Sequence, residues 1–224
     1  MSTFSQHSRR SGKGFTLIEL LVVGAIIIII TTLFLLRQSK FDSSTILRSL
    51  AYSIALSMRQ AQVYGVSVQG SSQGSSVTYA SGYGLYFSAA SPVSYILFAD
   101  FNNNGQYNSG EDIKAFSLNN GYRISEICAL NSLKNCSGQD DSTGAKTIDT
   151  LSVVFRRPNP DACISTTALP PLPSPGSGSG VCGPGATQTF ASAYIQINTQ
   201  NGTTRSVTVS NTGAITTQGP GTPP

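Results

Sequence analysis

From Phe15 to Leu36 the chain is apolar at almost every position, without proline and with a single charge, Glu19. A helix apolar on all sides has no face to present to water, which predicts a membrane-spanning segment. At about 1.5 Å per residue its 22 residues extend about 33 Å, close to the ~30 Å of a bilayer's hydrocarbon core. Beyond it the pattern narrows to a stripe, in which Leu47, Leu50, Ile54, Met58 and Ala61 recur at three- and four-residue spacing. That spacing predicts an amphipathic helix over residues 37–65 that continues the first and lays one face on a domain, with Gly65 as its C-terminal cap.

From Val66 to residue 218 the apolar runs are short and rich in β-formers: VSV, VTYA, GYGLYF, SYILFA, IKAFSL, YRISEICAL, LSVVFRR, SAYIQINT, TRSVTVS and AITTQ. Asn201-Gly202 between two of them is a hairpin signal. A Pro/Gly/Ser-rich loop is expected over residues 165–180, and GPGTPP, residues 219–224, reads as a disordered tail. The expected fold class is α+β: a long N-terminal helix, half membrane-spanning and half amphipathic, packed on an antiparallel β-sheet or β-sandwich domain.

Composition places that domain outside the cytoplasm. Charged residues make up only 11% of the chain, and Ser, Thr, Asn, Gly and Pro abound. Arg9, Arg10 and Lys13 precede the apolar run, so the positive-inside rule puts the N-terminus in the cytoplasm and the rest outside the inner membrane. No A-x-A-like site follows in TTLFLLRQSKF, so the run reads as a retained single-pass anchor. Without residues 1–14 the formal charge falls from +4 to +1, 11 Lys and Arg against 10 Asp and Glu, which argues against a general basic surface for nucleic acid.

Cys128, Cys136, Cys163 and Cys182 all follow the anchor. An even count without C-x-x-C spacing points to disulfides in an oxidising compartment rather than to zinc or redox chemistry. Four cysteines allow three connectivities; Cys128 with Cys136 and Cys163 with Cys182 are favoured because each pair closes a short local loop. The only histidine is His7, so the chain beyond residue 14 has no imidazole for a Ser/His or Cys/His pair or for zinc, and no Ser/Lys pair stands out. An enzyme is not expected. Asp140 and Asp141 read as a solvated loop. Arg156 and Arg157, the one adjacent basic pair after residue 14, are a thin footprint for DNA; the simpler reading is edge arginines in a solvated turn.

Asp100 to Glu111, DFNNNGQYNSGE, fits a twelve-position calcium loop, D-x-N-x-N-G-x5-E. In that reading Asp100, Asn102 and Asn104 supply side-chain oxygens and Gly105 the sharp turn. Gln106 supplies a backbone carbonyl, Asn108 a water-bridged contact and Glu111 a bidentate carboxylate. Strand-like runs flank the loop where EF-hands carry helices, and two charged ligands imply weak affinity, roughly 10⁻⁴–10⁻³ M. The competing reading is an Asx-turn-rich connection in which Asn and Gly serve backbone geometry. Calcium is thus a candidate ligand, and no cofactor is required.

Glu19 remains. A carboxylate in a membrane helix costs about 3 kcal/mol unless it is paired. Cleavage between Gly14 and Phe15 would create a charged α-amine at a helix start whose unpaired N–H groups and dipole also favour a carboxylate, from the same chain or an adjacent subunit. Gly14 followed by Phe15-Thr16-Leu17-Ile18-Glu19-Leu20, between a short basic leader and an unbroken apolar run, resembles the processing signature of type IV prepilins and type II secretion pseudopilins. The resemblance implies that a prepilin peptidase in the membrane cuts after Gly14 and methylates the Phe15 amine. It also implies that Phe15 and Glu19 direct assembly with other pilin or pseudopilin subunits on an inner-membrane assembly platform.

The segment ILRSLAYSIALSMRQAQVYGVSV is similar to the corresponding helix of the H-type minor pseudopilins and related minor type IV pilins. That implies a pilin-like fold and a minor or tip position in a periplasmic or cell-surface filament. In that family a basic residue often follows the glycine near the C-terminus; here Ala214 follows Gly213, a departure that weighs against DNA contact. The alternative is an uncleaved membrane-anchored β-domain that binds a ligand or DNA.

Overall fold

The computed structural model describes residues 14–67, 70–73, 76–79, 82–118, 121–131, 134–137, 148–168, 190–199 and 202–219. The chain forms two units, the first ending at Ser43 and the second beginning at Ser44. Helix α1 (Leu17–Val66) contributes residues to both.

In the first unit, Leu17–Leu35 has a mean hydropathy of 2.8 and is long and apolar enough to cross a membrane; none of the described residues buries it. Its two threonines do not interrupt it. The hydroxyls of Thr31 and Thr32 donate back to the carbonyls of Ile27 and Ile28, at 2.8 and 2.7 Å, so neither hydroxyl is left unsatisfied on that surface.

In the second unit α1 buries Leu47, Ala51, Ile54, Ala55, Met58 and Ala61, the expected stripe with Leu50 only partly covered. One antiparallel sheet runs β12 (Ile215–Gln218), β11 (Thr204–Ser210), β10 (Ser192–Asn198), β6 (Arg123–Leu130) and β7 (Lys134–Cys136). The other runs β5 (Asp112–Ser117), β4 (Ser94–Asp100), β3 (Gly82–Ser88), β8 (Ile148–Arg156) and β9 (Ala162–Ala168). A hairpin of β1 (Gly70–Gln73) and β2 (Ser76–Tyr79) pairs separately. The helix stripe shares one hydrophobic cluster with Leu85, Phe87, Val153 and Phe155 of one sheet and Ile127, Ile195, Val207 and Val209 of the other. The α+β class and the antiparallel pairing are as expected from the pattern of runs.

Three expectations need correction. Gly65 is not a cap: α1 runs on to Val66, which also removes Val66 from the expected VSV strand. A Cβ at Gly65 would stand 2.3 Å from the carbonyl oxygen of Phe155, so the glycine permits the close approach of helix to β8. The loop expected from residue 165 begins later, because Ser165 to Ala168 complete β9 against β8. Ser165 and Thr166 are buried, and the Ser165 hydroxyl is satisfied by the carbonyl of Gly105, which makes a polar sequence tolerable inside a sheet. Finally, β1, β7 and the whole of β9 went unrecognised as strands, being too polar or too short to show alternation. Residues 1–13, most of the Pro/Gly/Ser stretch, Cys182, Asp140, Asp141 and the last five residues lie outside the described residues.

The hairpin signal at Asn201-Gly202 joins β10 to β11, with Gly202 at φ 78° and its N–H bonded to the Thr199 carbonyl at 3.1 Å. Tyr95 on β4 stacks between Phe87 and Phe116, with centroids 5.5 and 4.8 Å away, and its hydroxyl meets Ser57 Oγ of α1 at 3.1 Å. Burial raises its pKa above the ordinary 10.0, while the Ser57 hydrogen bond pulls the other way. The folded state therefore holds the phenol proton more tightly than the unfolded chain does. That contribution to stability is complete below about pH 10 and is lost as pH rises through the folded value.

Two outcomes follow from this packing. Gly65→Ala should lower stability by about 1–3 kcal/mol, read as a reduced urea midpoint, because neither helix nor strand can move freely. Tyr95→Phe should flatten the decline in stability above about pH 10, measured by urea denaturation at each pH. An unchanged slope would assign that decline to other groups.

Candidate functional site

Asp100 ends β4 and Arg156 ends β8, and both pair with Gly82 of β3 from opposite sides. A Cβ at Gly82 would meet Val154 Cγ1 at 2.7 Å and Arg156 Cγ at 2.8 Å. The missing side chain leaves room for Arg156 to cross the strand. Its Nη2 lies 2.6 Å from Asp100 Oδ2, with the Asp100 side chain fully buried and that of Arg156 19% exposed.

The chain then turns through the loop Phe101–Glu111. Asn103, Gly105 and Gly110 take φ of 61°, 75° and 93°, the left-handed region that glycine and asparagine enter most readily. Asp100 Oδ1 accepts the N–H of Asn104 at 3.1 Å and Oδ2 that of Gly105 at 2.9 Å. Asn102 Oδ1 accepts the Asn104 N–H at 3.0 Å, and Asn104 Oδ1 accepts the Gln106 N–H at 2.8 Å. The carboxamides of Asn102 and Asn104 both donate to Asn108 Oδ1, at 3.0 and 2.8 Å.

Glu111 closes the loop from the other end. It is 5% exposed and accepts the Phe101 N–H on Oε1 at 3.2 Å and the Asn108 N–H on Oε2 at 2.8 Å. Burial pushes its pKa up, the Asn108 hydrogen bond opposes this, and the nearby Asp100 charge adds to it. The oxygens expected as ligands, on Asp100, Asn102, Asn104, Asn108 and Glu111, thus belong to one hydrogen-bonded loop, to which Gln106 contributes its N–H. They are hard donors, suited to a hard cation rather than to catalysis.

Arg156 is the member that sequence reasoning missed. Instead of occupying a solvated turn it is committed to Asp100, while Arg157 is exposed. The only signal lay in register: both arginine and aspartate end strands that flank a glycine, which becomes legible only once strand order is known.

Cys128 and Cys136 form the expected disulfide, facing each other across β6 and β7. Cys163 is disulfide-bonded as well; Cys182, its expected partner, lies outside the described residues.

At the other end of the chain, Gly14 and Phe15 are exposed ahead of α1. Thr16 Oγ1 accepts the Glu19 N–H at 3.3 Å, and Glu19 sits in the first helical turn. Thr16-Leu17-Ile18-Glu19 is the S/T-x-x-E capping pattern, present in the sequence but not read from it, and it sets the start of α1 at Leu17. Comparison of this chain with family models, curated proteins and solved structures returns no match.

Removing one partner of a buried ion pair strands the other. Asp100→Ala should therefore lower stability by about 3–5 kcal/mol, whereas Arg157→Ala should change it by less than about 0.5 kcal/mol. Urea denaturation of the two variants side by side checks the contrast, and comparable losses would contradict the buried pairing.

Proposed function

We propose that the chain is a structural subunit, a minor pilin or pseudopilin, of a type IV pilus or type II secretion filament. In this reading a prepilin peptidase removes residues 1–14, and the processed helix enters the filament with Phe15 and Glu19 guiding its register. The observation that carries it is an apolar helix, Leu17–Leu35, that nothing in the described chain covers, opening on Glu19 directly after the exposed Gly14–Phe15 bond.

Further features support the same reading. On the outward face of the second half of α1, Tyr52, Leu56 and Val63 are 58%, 67% and 62% exposed, at helical spacing. Between the first two of these and β12 runs an apolar groove of about 330 Å³ lined by Tyr52, Ala55, Leu56, Arg59, Ile215 and Thr217. An apolar stripe on a helix whose opposite stripe already fills a core suits packing against other subunits. The disulfide and the scarcity of charge suit an extracytoplasmic domain. Capping alone would give Glu19 a place in any membrane helix, so cleavage is what separates this reading from a simple anchor.

The full chain, co-expressed with an active prepilin peptidase and extracted from membranes, should lack residues 1–14 by mass spectrometry, carry a methylated Phe15, and gain about four hydrogens on reduction. Glu19→Ala should still be processed but be lost from the sheared filament fraction. An intact leader despite active peptidase would overturn the proposal and make the uncleaved, membrane-anchored ligand-binding β-domain the working reading.

A further inference from the structure

We propose that the Asp100–Glu111 loop binds calcium, and that Arg156, reaching in from β8, is a resident positive charge that holds the loop together without the ion and weakens its affinity for it. The proposal does not depend on filament assembly.

The first support is the arrangement of oxygens. Asp100, Asn102 and Asn104 occupy the first, third and fifth positions of the twelve-residue spacing, and each side-chain oxygen there accepts a backbone N–H from within the loop. A carboxamide oxygen fixed by one such bond, as at Asn102 and Asn104, keeps a second lone pair for a cation. Glu111, at the twelfth position, has both carboxylate oxygens tied to N–H groups of the loop, so its carboxylate is held against the loop at the place of a two-oxygen ligand. Ser165 of β9 fixes the turn from outside by bonding to the Gly105 carbonyl.

The second support comes from a different strand. The one cationic side chain against this loop among the described residues is Arg156, and it bonds Asp100 through Oδ2, the oxygen shared with the Gly105 N–H. Oδ1, which accepts the Asn104 N–H, is not the oxygen that Arg156 holds. Arg156 Nε is buried without a hydrogen-bond partner, so the guanidinium is only partly satisfied where it lies. Two buried carboxylates and one guanidinium leave the loop one negative charge in excess. Calcium would reverse that excess, which limits affinity; without the Arg156 charge, calcium would neutralise the carboxylates outright.

The predicted behaviour is therefore unusual, because removing a residue improves binding. Terbium, a calcium stand-in excited through Tyr107 at the eighth loop position, reports occupancy on the full-length detergent-solubilised protein. Wild type should show emission displaced by calcium with a Kd of roughly 10⁻⁴–10⁻³ M. Arg156→Gln should bind at least about threefold more tightly, and its melting temperature should rise more with calcium than that of wild type. Asn104→Ala, which alters no charge, and Glu111→Gln should each weaken binding at least about tenfold. Should Arg156→Gln unfold in calcium-free buffer, its recovery on adding calcium supports the proposal. Unfolding irrespective of calcium, weaker binding by Arg156→Gln, or no calcium-displaceable emission from wild type up to about ten times the expected Kd would each overturn it.

Discussion

One face of one helix closes the second unit. Leu47, Ala51, Ile54, Met58 and Ala61 contribute to a single cluster with both five-stranded sheets, so neither sheet has a complete core without that stripe. Fully burying a side chain the size of leucine or methionine stabilises by about 1.5–3 kcal/mol, and the large members of this face are wholly enclosed. The alanines matter for the opposite reason. Small residues at 51, 55 and 61, with Gly65 after them, let the helix lie close, and at Gly65 it comes against the backbone of β8.

That closeness has a chemical consequence further along the same strand. β8 passes from Phe155, beneath the helix, to Arg156, which leans across Gly82 to reach Asp100. Packing and electrostatics are thus consecutive residues of one strand. The buried carboxylate is tolerated because it has a guanidinium and two backbone N–H groups, while Glu111 relies on N–H groups alone and has its pKa raised by burial. Two acids in one loop are handled differently according to which neighbouring strand lies within reach.

Much of this was legible in the residues. The apolar run, the 47–61 stripe, most strands, the Asn-Gly hairpin and the Cys128–Cys136 pairing each follow from local periodicity or spacing, and local rules suffice for them. What failed was non-local. Gly65 looks like a cap because caps favour glycine, yet its requirement comes from a carbonyl some ninety residues away. Ser165 and Thr166 look like loop because they are polar, yet one is satisfied by the Gly105 carbonyl and both lie inside a sheet. Arg156 looks solvated because its partner is fifty-six residues earlier. The oxygen-rich loop was found because its pattern is contiguous, but the charge that accompanies it was not. The Thr16–Glu19 cap is contiguous as well, and local spacing alone suffices to place it.

The disulfide between Cys128 and Cys136 lies where β7, only three residues long, ends the sheet that continues through β6 and β10. Sheet margins recruit foreign strands through their unpaired backbone groups. Here the N–H of Ser137 bonds to the Ile127 carbonyl, its hydroxyl accepts the Ile127 N–H, and the covalent bridge holds the short strand in place. Over that stretch of β6 the backbone is already spoken for. Strand exchange and fibre growth therefore find no template along that stretch of β6.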